Sequence, residues 1–444
     1  MKITSRFAAT ALAAALSGAV AAPTAPAADR LGIGPPIELL PAPDAYQRTP
    51  AIAFGGGCFL VVWQDGWNGE GGDSNILGLR VGLDGKVMDG KPLRICTAPG
   101  TQEGPAVAWA GREFLVVWSD LRNGRDYDVY MARVTSGGEV SRTDVPVVTK
   151  EHNQACPRVA CNGTSLVVWQ DLRDGRSYRI FAARVGAAGD VLDPEGIELA
   201  KAPSNTPSVA ASADGFLVVW TREGANKYML TIGGARLGRD GKVLGEIPRH
   251  NFHGKPLWPA AASDGKDYLF ICSRVPFPNY WGWGGGSGFY GARVMADGST
   301  PELKTVRPYQ WKLFPNVLDG SWLHKKDKLW PHKYSAVAWD GKEYVAVWTR
   351  GHIQNQVMLT NLDLHATRIR FPGWRKLDGP TGPTPDNALQ MKDPPAPGIA
   401  LADTPDSEAM PAIAAGARGV LLAAYEVHKP DGAIVLTAKV IAAP

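Results

Sequence analysis

The segment Phe59–Asp65 reads FLVVWQD, and it returns as FLVVWSD at Phe114–Asp120. It recurs as SLVVWQD at Ser165–Asp171 and FLVVWTR at Phe216–Arg222. Weaker copies are YLFICSR at Tyr268–Arg274, YVAVWTR at Tyr344–Arg350 and LLAAYE ending at Glu426. A second motif precedes each copy: PAIAF from Pro50, PAVAW from Pro105, PRVAC from Pro157, PSVAA from Pro207, PAAAS from Pro259, SAVAW from Ser335 and PAIAA from Pro411. A third follows: LGLRV ending at Val81, YMARV at Val134, FAARV at Val185, GGARL at Leu237, YGARV at Val294, LTNLD at Asp363 and LTAKV at Val440. The spacing is roughly 50 to 55 residues for the first steps and about 76 for the last two, a period that belongs to repeat architectures.

Each unit reads as four short strands, a to d. Strand a is the PAVAW type, b the FLVVW type, c the YMARV type, and d a short apolar run such as PVVT at Pro146–Thr149. Apolar, β-branched and aromatic residues fill the strands, while Gly, Asp and Asn punctuate the turns. Tandem four-stranded units of this size predict an all-β, seven-bladed β-propeller of antiparallel blades. The last unit ends after strand c. The run PIELLPAP at Pro36–Pro43 stands unattached ahead of the first strand a. An N-terminal strand is therefore expected to complete the last blade and close the ring, which removes an exposed sheet edge.

Composition agrees. The 444 residues are 45% hydrophobic, enough for a large core, and the 51 Gly and 35 Pro suit a chain of many turns. A net charge of +4 argues against a nucleic-acid partner. Lys2 and Arg6, the apolar Phe7–Leu16 and the small-x-small Ala19-Val20-Ala21 read as a cleaved signal over residues 1–21. A short linker over 22–35 and one propeller over 36–444 follow. No later segment is apolar enough for a helical membrane span, so a secreted or periplasmic monomer is expected. The five Cys are an odd number. Cys156 and Cys161 flank one strand and stand too far apart to pair, so the thiols read as buried fillers.

The repeat string resembles the propeller repeats of exported bacterial proteins and, more loosely, those of the sialidase superfamily. The sialidase Asp-box (Ser-x-Asp-x-Gly-x-Thr-Trp) does not occur in the chain, and sialidases have six blades. The resemblance therefore implies fold and not activity.

In a propeller the b–c and d–a connections share one face. Trp63, Trp118, Trp169, Trp220 and Trp348 in strands b, with Trp109 and Trp339 in strands a, read as core. Trp67, Trp258, Trp281, Trp283, Trp311, Trp322, Trp330 and Trp374 are all placed in b–c or d–a connections, as is every His except His365. These residues concentrate in long inserted loops around 249–258, 275–288, 307–334 and 371–410. The end of strand b is read as Asp65, Asp120, Asp171, Arg222, Arg274, Arg350 and Glu426 in turn. Asp120 and Asp171 are expected to pair locally with Arg122 and Arg173.

Aromatic side chains suit sugar rings, and arginines bind carboxylates or sulfates in bidentate fashion. Together they point to an anionic polysaccharide or oligosaccharide. The architecture is similar to that of seven-bladed polysaccharide lyases such as the ulvan and oligogalacturonate lyases. That likeness implies β-elimination: Arg222, Arg274 and Arg350 would neutralise the uronate, His253 or His332 would take its α proton, and Tyr280 or Tyr309 would protonate the leaving oxygen. Trp258, Trp281, Trp283, Trp311 and Trp330 would stack on the sugars. A hydrolase would need two carboxylates, and the acids lie mostly on the other half of the ring. The rival class is a non-catalytic propeller that binds a glycan or a protein. No cofactor is expected. The loops DLRNGRDYD (120–128) and DLRDGRSYR (171–179) have oxygens enough for Ca²⁺ but match no calcium-loop pattern, and His250, His253 and His332 match no metal motif.

Overall fold

A computed structural model describes residues 31–40, 46–66, 73–223, 230–248, 255–275, 288–300, 335–354, 357–369, 374–376, 389–391, 399–402, 404 and 406–442. The fold is a seven-bladed β-propeller of antiparallel blades.

Blade 1 runs Gln47–Gly55, Cys58–Gly66, Ser74–Val81 and Leu93–Cys96, from strand a innermost to strand d. Blade 2 is Gln102–Trp109, Glu113–Asp120, Asp128–Thr135 and Val140–Val148. Blade 3 is Gln154–Cys161, Ser165–Asp171, Arg179–Val185 and Ile197–Ala200. Blade 4 is Ser204–Ala211, Gly215–Glu223, Leu230–Gly238 and Val243–Glu246. Blade 5 shows strands a to c at Lys255–Ser263, Tyr268–Val275 and Gly288–Val294. Blade 6 is Ser335–Trp339, Tyr344–Gln354, Val357–Ile369 and Ile399–Ala402. Blade 7 takes Ser407–Ala415, Leu421–His428 and Ile434–Ala442 from the C-terminal end of the chain. The N-terminal strand completes it: Ile37 pairs with Ala438 and Glu38 with Thr437. Pairing begins upstream of Pro36, where Gly32 faces Ala442 and Ile33 faces Ile441.

Strand b is apolar on both faces because each blade is covered by its two neighbours. The core accordingly lies between blades. Leu60 and Val62 of blade 1 pack with Val116 and Trp118 of blade 2, while Phe59, Val61 and Trp63 pack with Leu422 and Ala424 of blade 7. Similar clusters fill the other interblade spaces and close the circle. The five strand-b tryptophans are buried, Trp63, Trp118 and Trp169 completely. Trp109 and Trp339 are only half-buried, each edge-on to the aromatic residue that opens its strand b, Phe114 and Tyr344. All five Cys are free thiols: Cys58, Cys96 and Cys272 are buried, Cys156 and Cys161 half-buried.

Three sequence alignments are corrected by the strand register. Tyr425 faces Thr437 as Trp63 faces Leu77, so Glu426 is the counterpart of Gln64, and Val427 is the counterpart of Asp65. In blade 6 Trp348 faces His365, so the third motif is His365–Ile369 and not the segment ending at Asp363. The hairpin of strands b and c there extends to Gln354 and Val357, which pushed the motif downstream. Trp374 therefore lies between strands c and d of blade 6, in a c–d connection and not in a d–a connection. It belongs to a short hairpin, Trp374–Lys376 with Leu389–Met391. The expected 371–410 loop also gives up Ile399–Ala402 to strand d and Ser407–Met410 to strand a.

Candidate functional site

A bulge recurs in the innermost strand. The residue before the motif proline has a left-handed backbone at Thr49, Gly104, Cys156, Thr206, Trp258 and Met410, with φ between 49° and 59°. The register slips there in each case, for example between Arg48 and Ala51. A bulge re-aims neighbouring side chains and frees a backbone N–H. That N–H turns to strand b of the preceding blade. Thr49 donates to Glu426 Oε1 (2.7 Å), Cys156 to Ser119 Oγ (3.1 Å) and Thr206 to Gln170 Oε1 (3.1 Å).

A second feature went unread in the sequence, a glutamine three residues ahead of the proline: Gln47, Gln102 and Gln154. Each is buried and ties down the incoming d–a connection. Gln154 donates to the carbonyls of Glu151 and His152, and Gln102 to those of Pro99 and Gly100. The repeat Q-x-x-P was the available signal.

Between glutamine and bulge, at the end of strand a where the d–a connection enters and which forms the mouth side of the ring, stand Arg48 in blade 1 and Glu103 in blade 2. Glu103 is hydrogen-bonded to Tyr127, the last residue of the blade 2 b–c loop. Tyr127 is held by blade 3: its N–H donates to Asn153 Oδ1 (2.9 Å) and its carbonyl accepts from Gln154 N (2.6 Å). Asn153 also reaches the hydroxyl of Tyr178, the equivalent tyrosine of blade 3, at 3.5 Å. Burial pushes the Glu103 carboxyl above the usual range, against the Tyr127 hydrogen bond and the Arg48 charge, which pull it down. Burial also raises the Tyr127 phenol, and the adjacent Glu103 adds to it. The pair thus holds a carboxyl of raised proton affinity against a phenol that keeps its proton at neutral pH.

Below the mouth, strands a of all seven blades line a channel of about 210 Å³. Ala51, Ile52, Val107, Ala412 and Ile413 make the arc of blades 7, 1 and 2 apolar; the arc of blades 3 to 6 carries Cys156, Arg158, Thr206, Ser208 and Ser335 among apolar residues such as Val159, Val209 and Val337.

The local Asp–Arg pairs expected at the strand-b ends form in blades 2 and 3, and in blades 1 to 3 the aspartates also accept an indole N–H. Trp63, Trp118 and Trp169 donate their indole N–H to Asp65, Asp120 and Asp171 at 3.1, 2.7 and 2.7 Å. Arg122 and Arg173 close bidentate pairs on Asp120 and Asp171 and stack on Tyr130 and Phe181. These carboxylates are structural. Glu426 is fully buried between Thr49 N and His428 Nε2.

Arg222 replaces the aspartate in blade 4, and Trp220 Nε1 is left buried with no acceptor among the described residues. Arg222 itself is half-buried, and its guanidinium makes no hydrogen bond or ion pair among them. An Arg222→Asp substitution should restore the indole acceptor and raise stability by about 1 kcal/mol, read by thermal denaturation. If Arg222 holds substrate, the same change should lose saccharide binding.

Trp258 lies at the blade 5 bulge and lines the channel. Arg274 and Arg350 take the strand-b position two residues after Cys272 and Trp348 in blades 5 and 6, where strand b continues to Val275 and Gln354. His253, His332, Tyr280, Tyr309, Trp281, Trp283, Trp311 and Trp330 lie outside the described residues. In the two Asp-rich loops Asn123 and Asp174 are occupied in turn geometry, accepting from Arg125 N and Asp126 N, and from Arg176 N and Ser177 N. Among the described residues no group of three or more His, Cys, Asp or Glu side chains is arranged to hold a metal. No described helix is long and apolar enough to cross a membrane.

Asp128, next to Tyr127, is 5% exposed. Burial, and then the charge of Asp126, push its carboxyl up to about 6 from 3.8. Its ionisation therefore opposes folding above pH 6, and this effect is gone below about pH 4, where both states are protonated. Asp128→Asn should melt higher than the parent at pH 7.5, with the difference vanishing at pH 3.5.

No protein-family model matches the chain, and no curated protein matches it. Among solved structures, a protein of unknown function from Dyadobacter fermentans aligns over 93% of this chain and 99% of its own at 10% identity and a TM-score of 0.49. The hemagglutinin-neuraminidase of parainfluenza virus 5 aligns over 94% and 96% at 8% identity and a TM-score of 0.47. Trypanosoma rangeli sialidase aligns over 89% of this chain and 55% of its own at 9% identity and a TM-score of 0.44. At such identities the likeness is one of fold alone.

Proposed function

We propose that the chain is an exported carbohydrate-active propeller that cleaves a uronate-containing polysaccharide by β-elimination at the mouth of its channel. The observation that carries this reading is the Glu103–Tyr127 pair beside Arg48, above a channel lined by Trp258. Arg48 and Arg222 supply cations for the uronate carboxylate, which makes its α proton acidic. Glu103, in its ionised form, takes that proton from C5. The C5–H electron pair forms the C4=C5 double bond, the C4–O bond breaks, and the leaving oxygen takes a proton from Tyr127. Hydrolysis by two carboxylates fits less well, because Asp65, Asp120, Asp171 and Glu426 are each engaged in structural contacts. His253 or His332 as base, and Tyr280 or Tyr309 as acid, belong to the same proposal as alternatives. Carboxylate binding by Arg274 and Arg350 and stacking of sugars on Trp281, Trp283, Trp311 and Trp330 belong to the same proposal.

One observation favours the non-catalytic alternative, a glycan-binding propeller. Glu103 already has a donor in Tyr127 and a cation nearby, a set that is also stable as structure.

The test is incubation of the mature protein with uronate-containing and sulfated polysaccharides, following ultraviolet absorbance of unsaturated products and, in parallel, binding by calorimetry. Absorbance that rises with one substrate supports the lyase. Binding without absorbance supports the glycan-binding alternative. Neither signal with any substrate removes both.

A further inference from the structure

Seven residues occupy one ring of the channel wall, each directly after the strand-a bulge proline or its equivalent. Their register is the same in every blade: Ala51 faces Val62, Ala106 faces Val117, Arg158 faces Val168, and Ser208 faces Val219. Ala260 faces Ile271, Ala336 faces Val347, and Ala412 faces Ala424. Five alanines and one serine thus share the ring with a single arginine, and all line the channel.

Arg158 is unlike the other core-proximal arginines. Arg80, Arg122, Arg173, Arg184 and Arg368 each hold an aspartate at 2.6 to 2.8 Å. The one hydrogen bond of the Arg158 guanidinium among the described residues is from Nη1 to its neighbour, the carbonyl of Pro157, at 2.6 Å. No carboxylate faces it there. A guanidinium has five N–H donors in a planar fork, so most of its capacity points elsewhere. Arg158 is half-buried, and this enclosure lowers its pKa, as burial does for a cation with no anion beside it. Holding even a partly buried charge unpaired costs free energy, and such charges are normally paired.

A second, independent group points into the same space. Ser335 lines the channel from blade 6, is 4% exposed, and its Oγ has no hydrogen-bond partner among the described residues. Ser208 Oγ accepts from Ala261 N at 3.1 Å, which leaves its hydroxyl proton to donate. The volume of about 210 Å³ exceeds by several times the roughly 30 Å³ share of one water.

We propose that the central channel is a carboxylate-binding site in which Arg158 takes the anion by its guanidinium fork and the hydroxyls of Ser208 and Ser335 complete the donor set. The apolar arc of Ala51, Ile52, Val107 and Ile413 then faces the carbon side of the ligand. The carboxylate can come from a small free acid or from a uronate residue of a saccharide seated at the mouth. The site does not require that the mouth be catalytic.

The experiment is thermal melting and calorimetric titration of the full chain with sodium acetate and with sodium glucuronate, against sodium chloride at matched ionic strength. The parent should show saturable stabilisation by one or both carboxylates beyond chloride. Arg158→Met should abolish it, and Arg158→Lys should weaken it at least tenfold, because an ammonium cannot bind in bidentate fashion. An acetate response identifies a free acid as sufficient, and a response to glucuronate alone assigns the carboxylate to the saccharide; loss of either in Arg158→Met supports the site. Glu103→Gln should keep the response, so that failure of the mouth reading leaves this site standing. Should Arg158→Met fail to fold, Arg158→Lys decides. A response absent from the parent, or equal in parent and Arg158 variants, overturns the proposal.

Discussion

Glu103→Gln should lower turnover of the uronate substrate by about 10²- to 10⁴-fold, the usual contribution of a positioned acid or base. The side chain keeps its shape and can still accept from Tyr127, so the melting temperature should stay close to the parent's. Tyr127→Phe removes the proton donor and should cost a similar factor. Because the two act on one substrate in one step, the double variant should be little worse than either single variant. The pH profile gives a further check. Burial raises the Glu103 carboxyl, so activity should rise with pH through a value above the ordinary glutamate range. Unchanged turnover in both variants would remove Glu103 and Tyr127 from the chemistry and return the base to His253 or His332.

The largest stability effect is expected at Glu426. Its carboxylate is fully buried at the seam where blade 7 meets blade 1, accepting from Thr49 N at 2.7 Å and pairing with His428 Nε2 at 2.8 Å. Glu426→Ala leaves a bulge N–H without its acceptor in the ring interior and should cost about 3 kcal/mol. Glu426→Gln keeps an acceptor for Thr49 and should cost about 1 kcal/mol. Urea denaturation reads both. Equal losses in the two variants would mean that charge, and not the hydrogen bond to the bulge, holds the seam.

Strand b was the most legible element, because burial on both faces leaves an unbroken apolar run ending in Trp and Asp. The Asp-Leu-Arg that follows in blades 2 and 3 makes Asp120–Arg122 and Asp171–Arg173 readable as local ion pairs. Legibility failed where a position changed identity. Tyr425 stands in for Trp and Val427 for Asp, so the sequence by itself sets Glu426 opposite Asp65, one residue beyond its true counterpart Gln64. The extended hairpin of blade 6 hides His365–Ile369, and with it the c–d position of Trp374. At the mouth, Glu103, Tyr127 and Arg48 gave no local sign of being neighbours. Their proximity comes from a bulge, a loop end and the next blade.

Fold, blade number and closure follow from the sequence by itself, since a period of hydrophobic burial repeated along the chain admits few arrangements and the strand missing at one end is present at the other. The same holds for the sign of each strand-b terminus in blades 1 to 4. The tertiary structure alone decided which of these residues share a site. Ring closure brings Thr49 to Glu426, and radial packing sets Arg158 among six small residues drawn from the other six blades. Repeat spacing specifies contacts within a unit and between neighbours, whereas a central channel is made by all seven units at once.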